Sequence, residues 1–284
     1  MKKIVLSILT FSIISIFATP AEAQPANSSS TAQPTNPTVT AQSTNPPVTA
    51  QPTNPTVKNI VIVHGAFTAG SGWQKVHDLL KARGYKVTVA APPNTSLGED
   101  IAATNRAINQ QDGPVILVGH SYGGAVITEA GNNPKVAGLV YVAAFLPDKG
   151  ETLGKVVMSF PAERTAGGAL PPDSSGFILY DPAKYHADFC ADLPQSEADF
   201  MADSQMPIAA AVFGYVFKDP AWRTKPTWQI ITTEDHALPT GLQKIMGKRA
   251  DSHITEIKSS HVVFISHAKE VAEVITAAAK ATSK

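Results

Sequence analysis

From residue 58 onward, short runs of apolar residues alternate with longer runs in which apolar residues recur every third or fourth position. Asn59–Val63 is a β-rich run that stops at His64-Gly65. Trp73–Ala82 sets Trp73, Val76, Leu79 and Leu80 on one helical face and ends at Arg83-Gly84. Lys86–Ala90 reads as a strand, and Leu97–Asn109 as a helix with Ile101 and Ile108 inward. Val115–Val118 is a fully apolar strand, and Gly124–Ala130 opens a helix. Val136–Val142, Thr227–Thr232 and Ile254–Ile257 are further strands, and Lys269–Ala279 closes as an amphipathic helix. Strands that are apolar on both faces and alternate with helices must be covered on both sides. The pattern predicts an α/β domain over 58–284, with a mostly parallel sheet of about six strands and helices on both faces.

One interval breaks the alternation. Pro147 to Pro226 separates the fourth strand from the fifth, too long for a structureless loop in a compact domain. It predicts an inserted, mostly helical cap. Phe189, Phe200, Met201, Met206, Ile208, Phe213, Tyr215 and Phe217 supply its apolar surface, either to line a pocket or to pack the cap on the body.

The first 57 residues follow other rules. Met1-Lys2-Lys3 precedes the apolar stretch Ile4–Thr19, and Ala21-Glu22-Ala23 gives a small-x-small cleavage pattern. That is the layout of a secretory signal peptide over residues 1–23, shorter than a stable membrane anchor needs. It predicts export to the periplasm or beyond. TAQPTNPTV, TAQSTNPPV and TAQPTNPTV then follow one another from Thr31 to Val57. So polar a repeat cannot bury enough apolar area to offset the entropy of ordering, so residues 24–57 read as an extended tether.

Composition removes several function classes. Formal net charge is zero and no basic cluster follows Lys2 and Lys3, which argues against a nucleic-acid partner. The single cysteine, Cys190, allows no internal disulfide, and no metal-spaced Cys/His set is present. No metal or organic cofactor is expected. A small molecule is the expected partner, and nothing in the sequence sets an oligomeric state.

The chemistry gathers at Gly119-His120-Ser121-Tyr122-Gly123, a G-x-S-x-G pattern between an apolar strand and a helix start. A serine in that tight turn is lifted above the carboxyl end of the sheet, beside free N–H groups of a helix N-terminus. Glycines flank it because a Cβ there meets the turn. A serine hydroxyl needs a base, and the base needs an orienting acid. His261 sits in the loop between the last strand and the last helix, at the required end of the sheet. The acid is expected just after Thr227–Thr232, where Glu234 and Asp235 both qualify. An oxyanion hole needs two backbone N–H groups. Tyr122 supplies one, and the loop His64-Gly65-Ala66-Phe67 the other, with Ala66 ahead of Phe67.

The stretches IVIVHGAFTAGSGW, VILVGHSYGGAVI, VYVAAFLPDKGE, IITTEDHALP and SSHVVFIS together resemble the α/β-hydrolases. The likeness, over residues 59–280, is to the compact subgroup of plant methylesterases, hydroxynitrile lyases and bacterial esterases. It implies an α/β-hydrolase fold and a serine esterase acting on small-molecule esters, with Ser121, His261 and Asp235 as triad. Asp235 is the acid because it falls in the subgroup's matching stretch, here Thr232 to Pro239. Two other activities share this fold: a small-molecule receptor without turnover, and carbon–carbon cleavage of hydroxynitriles. The lyases place a threonine where this chain has Gly65 and a lysine where it has Val262. Both differences point to hydrolysis.

Overall fold

The computed structural model describes residues 56–160 and 167–283. The stretch read as a signal peptide, nearly all of that read as a tether, and residues 161–166 of the cap lie outside the described residues. Val57, assigned above to the tether, belongs to the packed body: it is buried, and its N–H donates to Ser283 Oγ at 2.9 Å.

The elements run β1 (Asn59–Val63), α1 (Gln74–Ala82), β2 (Lys86–Ala90), α2 (Leu97–Asn109), β3 (Val115–His120), α3 (Tyr122–Ala130) and β4 (Val136–Val142). The cap holds α4 (Leu153–Met158), β5 (Phe177–Ile178), α5 (Pro182–Phe189), α6 (Gln195–Asp203) and β6 (Ile208–Ala209). The body resumes with β7 (Thr227–Thr232), α7 (Thr240–Arg249), β8 (His253–Ile257), α8 (Val263–Ser266) and α9 (Ala268–Ala281). Six strands form one parallel sheet in the order β2-β1-β3-β4-β7-β8. Its inner strands β1, β3 and β7 are buried at every position, as strands covered on both faces must be. Two helix pairs, α1 with α9 and α2 with α3, cover the two faces.

The expected elements are all present, with three differences. The edge strand β8 is exposed at four of its five positions, so it is not apolar on both faces. Within the mostly helical cap, β5 and β6 add a short antiparallel pair that the sequence pattern does not predict. Helix α7 between β7 and β8, and the short α8 between His261 and α9, are elements that the sequence pattern does not predict. Among the described residues, no helix is long and apolar enough to cross a membrane.

Candidate active site

Ser121 occupies the single residue between β3 and α3. Its φ is +51° and ψ −122°, a left-handed conformation that costs a non-glycine residue about 1–3 kcal/mol. The surroundings impose it. Ser121 N–H donates to the Val142 carbonyl at 3.2 Å, and its own carbonyl accepts from Gly124 and Phe145. A Cβ on Gly119 would stand 2.5 Å from the Gly123 carbonyl oxygen, and one on Gly123 only 2.4 Å from that of Val63. The turn therefore closes only with glycine at both places. As the first residue of α3, Tyr122 has an N–H with no carbonyl one turn back in the helix.

The acid comes from the loop after β7. Asp235 Oδ2 lies 2.7 Å from His261 Nδ1, and both side chains are essentially inaccessible to solvent. Oδ2 also accepts from Thr232 Oγ1 at 2.7 Å and Gln243 Nε2 at 3.0 Å. Oδ1 accepts the backbone N–H groups of Ala237 and Leu238. Every oxygen of the carboxylate is thus engaged, which fixes its plane and the face it turns to the imidazole. Glu234 instead points outward and pairs with Lys258 at 3.4 Å. The structure sets Asp235 against His261, not Glu234.

His261 is gripped from three sides besides. His120 donates from Nε2 to the His261 carbonyl at 3.0 Å, and the two rings lie 4.7 Å apart. Burial holds His120 well below the ordinary histidine pKa, so it is neutral and Nε2 carries its one proton. Phe189 of the cap sets its ring edge-on to His261 at 4.7 Å. The preceding Ser259 and Ser260 are bound to Asp192 of the cap, through both hydroxyls and the Ser260 N–H. The other histidines serve elsewhere: His64 is buried with Nδ1 on the Gly65 carbonyl, and His186 sits in α5.

In the loop after β1, Phe67 N–H is committed to the Met206 carbonyl of the cap at 2.9 Å. Of the two expected donors, the Ala66 N–H is the one with no hydrogen-bond partner among the described residues. Ala66, Ser121, Tyr122 and His261 all line one cavity of about 370 Å³. Its walls are apolar: Phe160, Phe189, Ile208 and Phe213 from the cap, Leu238 and Leu242 from the body. Tyr122 and Tyr180 also line it, but their hydroxyls are donated to Asp100 and Asp188. A roomier but shallow depression beside Arg83, Tyr85 and Lys280 contains none of these groups. Among the described residues, no cluster of His, Cys, Asp and Glu has the makings of a metal site.

Sequence reasoning missed several members of this site. Gln243 is fully buried and binds Asp235, but it belongs to α7, for which no pattern was read. Asp100, fully buried beneath Tyr122, receives the phenol at 2.5 Å and the Asn94 N–H at 2.8 Å; burial pushes its carboxyl above the usual range. Asp192 lies in the cap, and only the folded chain brings it to Ser260.

The sequence profile of the alpha/beta hydrolase family matches residues 60–274, and the chain belongs to that family. It is similar to a carbendazim-hydrolysing esterase of Nocardioides sp. (strain SG-4G), 29% identical over 182 residues, which are 58% of this chain and 65% of the relative. It is also similar to a pyrethroid hydrolase of Sphingobium wenxiniae, 26% identical over 249 residues, 78% of this chain and 87% of the relative. A crystal structure of a pyrethroid hydrolase superimposes with a TM-score of 0.70 at 24% identity, covering 81% of this chain and 100% of that one. That likeness is one of fold.

Proposed function

We propose that the protein is an exported serine esterase that cleaves small, largely apolar carboxylic esters through an acyl-enzyme. The observation that carries this reading is the buried His261–Asp235 pair opening onto the same apolar cavity as the strained Ser121. Relatives named as an esterase and as a hydrolase support ester chemistry. Export rests on the amino-terminal pattern of charge, apolar run and small-residue site.

The proposed cycle has two halves. Ser121 Oγ attacks the ester carbonyl carbon as His261 Nε2 takes its proton. The carbonyl π pair moves onto oxygen, and the Ala66 and Tyr122 N–H groups receive that negative charge. Asp235, bound to Nδ1, holds the tautomer that leaves Nε2 free to accept, and it stabilises the imidazolium. The tetrahedral intermediate collapses, the C–O bond to the alcohol breaks, and His261 returns its proton to the departing oxygen. Water then repeats the sequence on the acyl-serine and releases the acid. Among the described residues the walls offer no charged side chain to the substrate, and burying an unpaired charge is costly. This favours neutral esters.

Two residues weigh against carbon–carbon cleavage of hydroxynitriles. A Cβ at Gly65 would stand 2.7 Å from Ser121 Cβ, so a threonine there displaces the nucleophile. Val262 is fully buried and offers departing cyanide neither charge nor hydrogen bond. The test is sustained turnover of a short-chain nitrophenyl ester by wild type and Ser121→Ala, with mandelonitrile as the competing substrate. Many turnovers of ester dependent on Ser121, with mandelonitrile at background, is the expected result. A single slow round would make the protein a receptor, and Ser121-dependent benzaldehyde release without ester turnover would make it a lyase.

A further inference from the structure

Phe67 directly follows Ala66 and has an unusual backbone. Its φ is +61°, a region that β-carbon-bearing residues avoid unless something holds them there. Both of its backbone polar groups are held by the cap. The N–H donates to the Met206 carbonyl at 2.9 Å, and the carbonyl accepts from the Tyr185 hydroxyl at 2.6 Å. Tyr185 lies 118 residues further along the chain, fully buried in α5. The Phe67 ring meets Tyr180 and Phe189 edge-on, so its side chain is wedged into the same cap surface.

We infer that Tyr185 is a positioning residue for the oxyanion hole: its hydroxyl clamps Phe67 in the left-handed conformation that presents the Ala66 N–H to the cavity. The inference rests on the oxyanion role proposed above for Ala66. A residue needed only to pack the cap has no use for a hydroxyl here, since phenylalanine fills the same space among Tyr180 and Phe189. The hydroxyl is instead spent on one backbone carbonyl of a loop in the body. Burial raises the phenol far above its ordinary pKa, so it stays a donor at any working pH. The cap then does more than enclose substrate: it completes the catalytic machinery of the body. A donor aimed at developing charge acts mainly in the transition state, so misaiming it lowers kcat and leaves ground-state binding nearly alone.

The test is Tyr185→Phe in the full chain, with Tyr141→Phe as a matched control. Tyr141 also loses a buried phenol hydrogen bond, to Thr128 at 3.0 Å, but lies in β4 away from the cavity. Both variants are assayed well below their own melting transitions. Tyr185→Phe is expected to lower kcat roughly ten- to a hundredfold with KM within about twofold. A trifluoromethyl ketone, which forms a tetrahedral adduct with Ser121, should lose affinity by the same factor as kcat/KM. The plain methyl ketone, which mimics only the ground state, should bind unchanged. Tyr141→Phe should lose stability and keep kcat. If Tyr185→Phe keeps wild-type kcat and inhibitor affinity, or loses both ketones alike, the clamp is overturned while the esterase reading stands. If wild type itself shows no Ser121-dependent turnover, that reading and the clamp fall together.

Discussion

The loops that carry Ser121 and Asp235 leave the same end of the sheet, from β3 and β7, yet they are held in opposite ways. The serine turn is fixed by exclusion. Gly119 and Gly123 face backbone carbonyls at distances no side chain tolerates, and the strained φ of Ser121 persists because no other path closes. The acid loop is fixed by attraction, since five donors converge on one carboxylate. A site held by shape tolerates polar changes nearby and no added volume. A site held by hydrogen bonds tolerates volume better than a lost or reversed donor.

The largest expected effect lies where the two loops meet in one reaction. Ser121→Ala and His261→Ala should each lower kcat by on the order of 10⁴-fold or more, and the double variant little further. Asp235→Asn should approach that loss, because an amide facing Nδ1 favours the wrong tautomer. Steady-state kinetics on one nitrophenyl ester ranks all four, and additive losses in the double variant would break the triad assignment.

The next effect separates shape from attraction. Gly123→Ala should destabilise the protein by on the order of 3 kcal/mol, because its Cβ meets a backbone oxygen that cannot move aside. Urea unfolding measures it, and a midpoint unchanged from wild type would show that the turn has slack. On the other side, Gln243→Leu keeps volume but removes a donor from Asp235 and leaves the buried Thr232 N–H and Leu238 carbonyl without their partner, so a loss of about tenfold in kcat is expected together with a destabilisation of about 1–3 kcal/mol. Glu234→Gln, out in solvent against Lys258, should stay within about twofold. If Glu234→Gln were the crippling change and Asp235→Asn harmless, the acid assignment would be reversed.

The last effect, spread over several pH units, is on stability. His64 and His120 are buried, and burial lowers both from the ordinary 6.5. The unfolded chain therefore takes up protons first on acidification. Their contribution is fully present above about 6.5 and is lost as pH falls below it, at up to about 1.4 kcal/mol per pH unit for each. Asp100, raised by burial, works in the opposite sense. Urea midpoints between pH 7.5 and 5 should decline for wild type, and His120→Gln should flatten the decline. An equal slope in the variant would remove His120 from that account.

The body of the fold was legible in the amino-acid order because its signal is local. A run such as Val115–Val118 is apolar at every position only if both faces are covered, and the serine turn needs its glycines within four residues. The cap was legible only as an interval. Phe200, anticipated as a candidate wall, is 71% exposed, whereas Phe160 and Tyr180 line the cavity. Which aromatic faces inward depends on pairings such as Phe177 with Ala209, two-residue strands too short to leave a period in the sequence. Helix α7 escaped for a related reason: Gly241 and Gly247 dilute its pattern, and Gln243 is a polar residue on a buried face. Its purpose shows only once Asp235 stands beside it.

Among the described residues, strand β8 has a single hydrogen-bonded neighbour, β7, and four of its five residues are exposed. It nevertheless delivers His261, four residues past its end, and the acid loop leans on it through Thr233 N–H to Ile257 and Glu234 N–H to Ser259. Edge strands open by local fluctuation at a smaller free-energy cost than the global transition. Fraying of β8 would release the base and loosen the acid while the nucleophile, on the central β3, stays in place. Heat inactivation should therefore run ahead of the global melt. Hydrogen exchange should show the amides of Ile254–Ile257 opening at temperatures where those of Val115–His120 remain protected, with activity lost in step with the former.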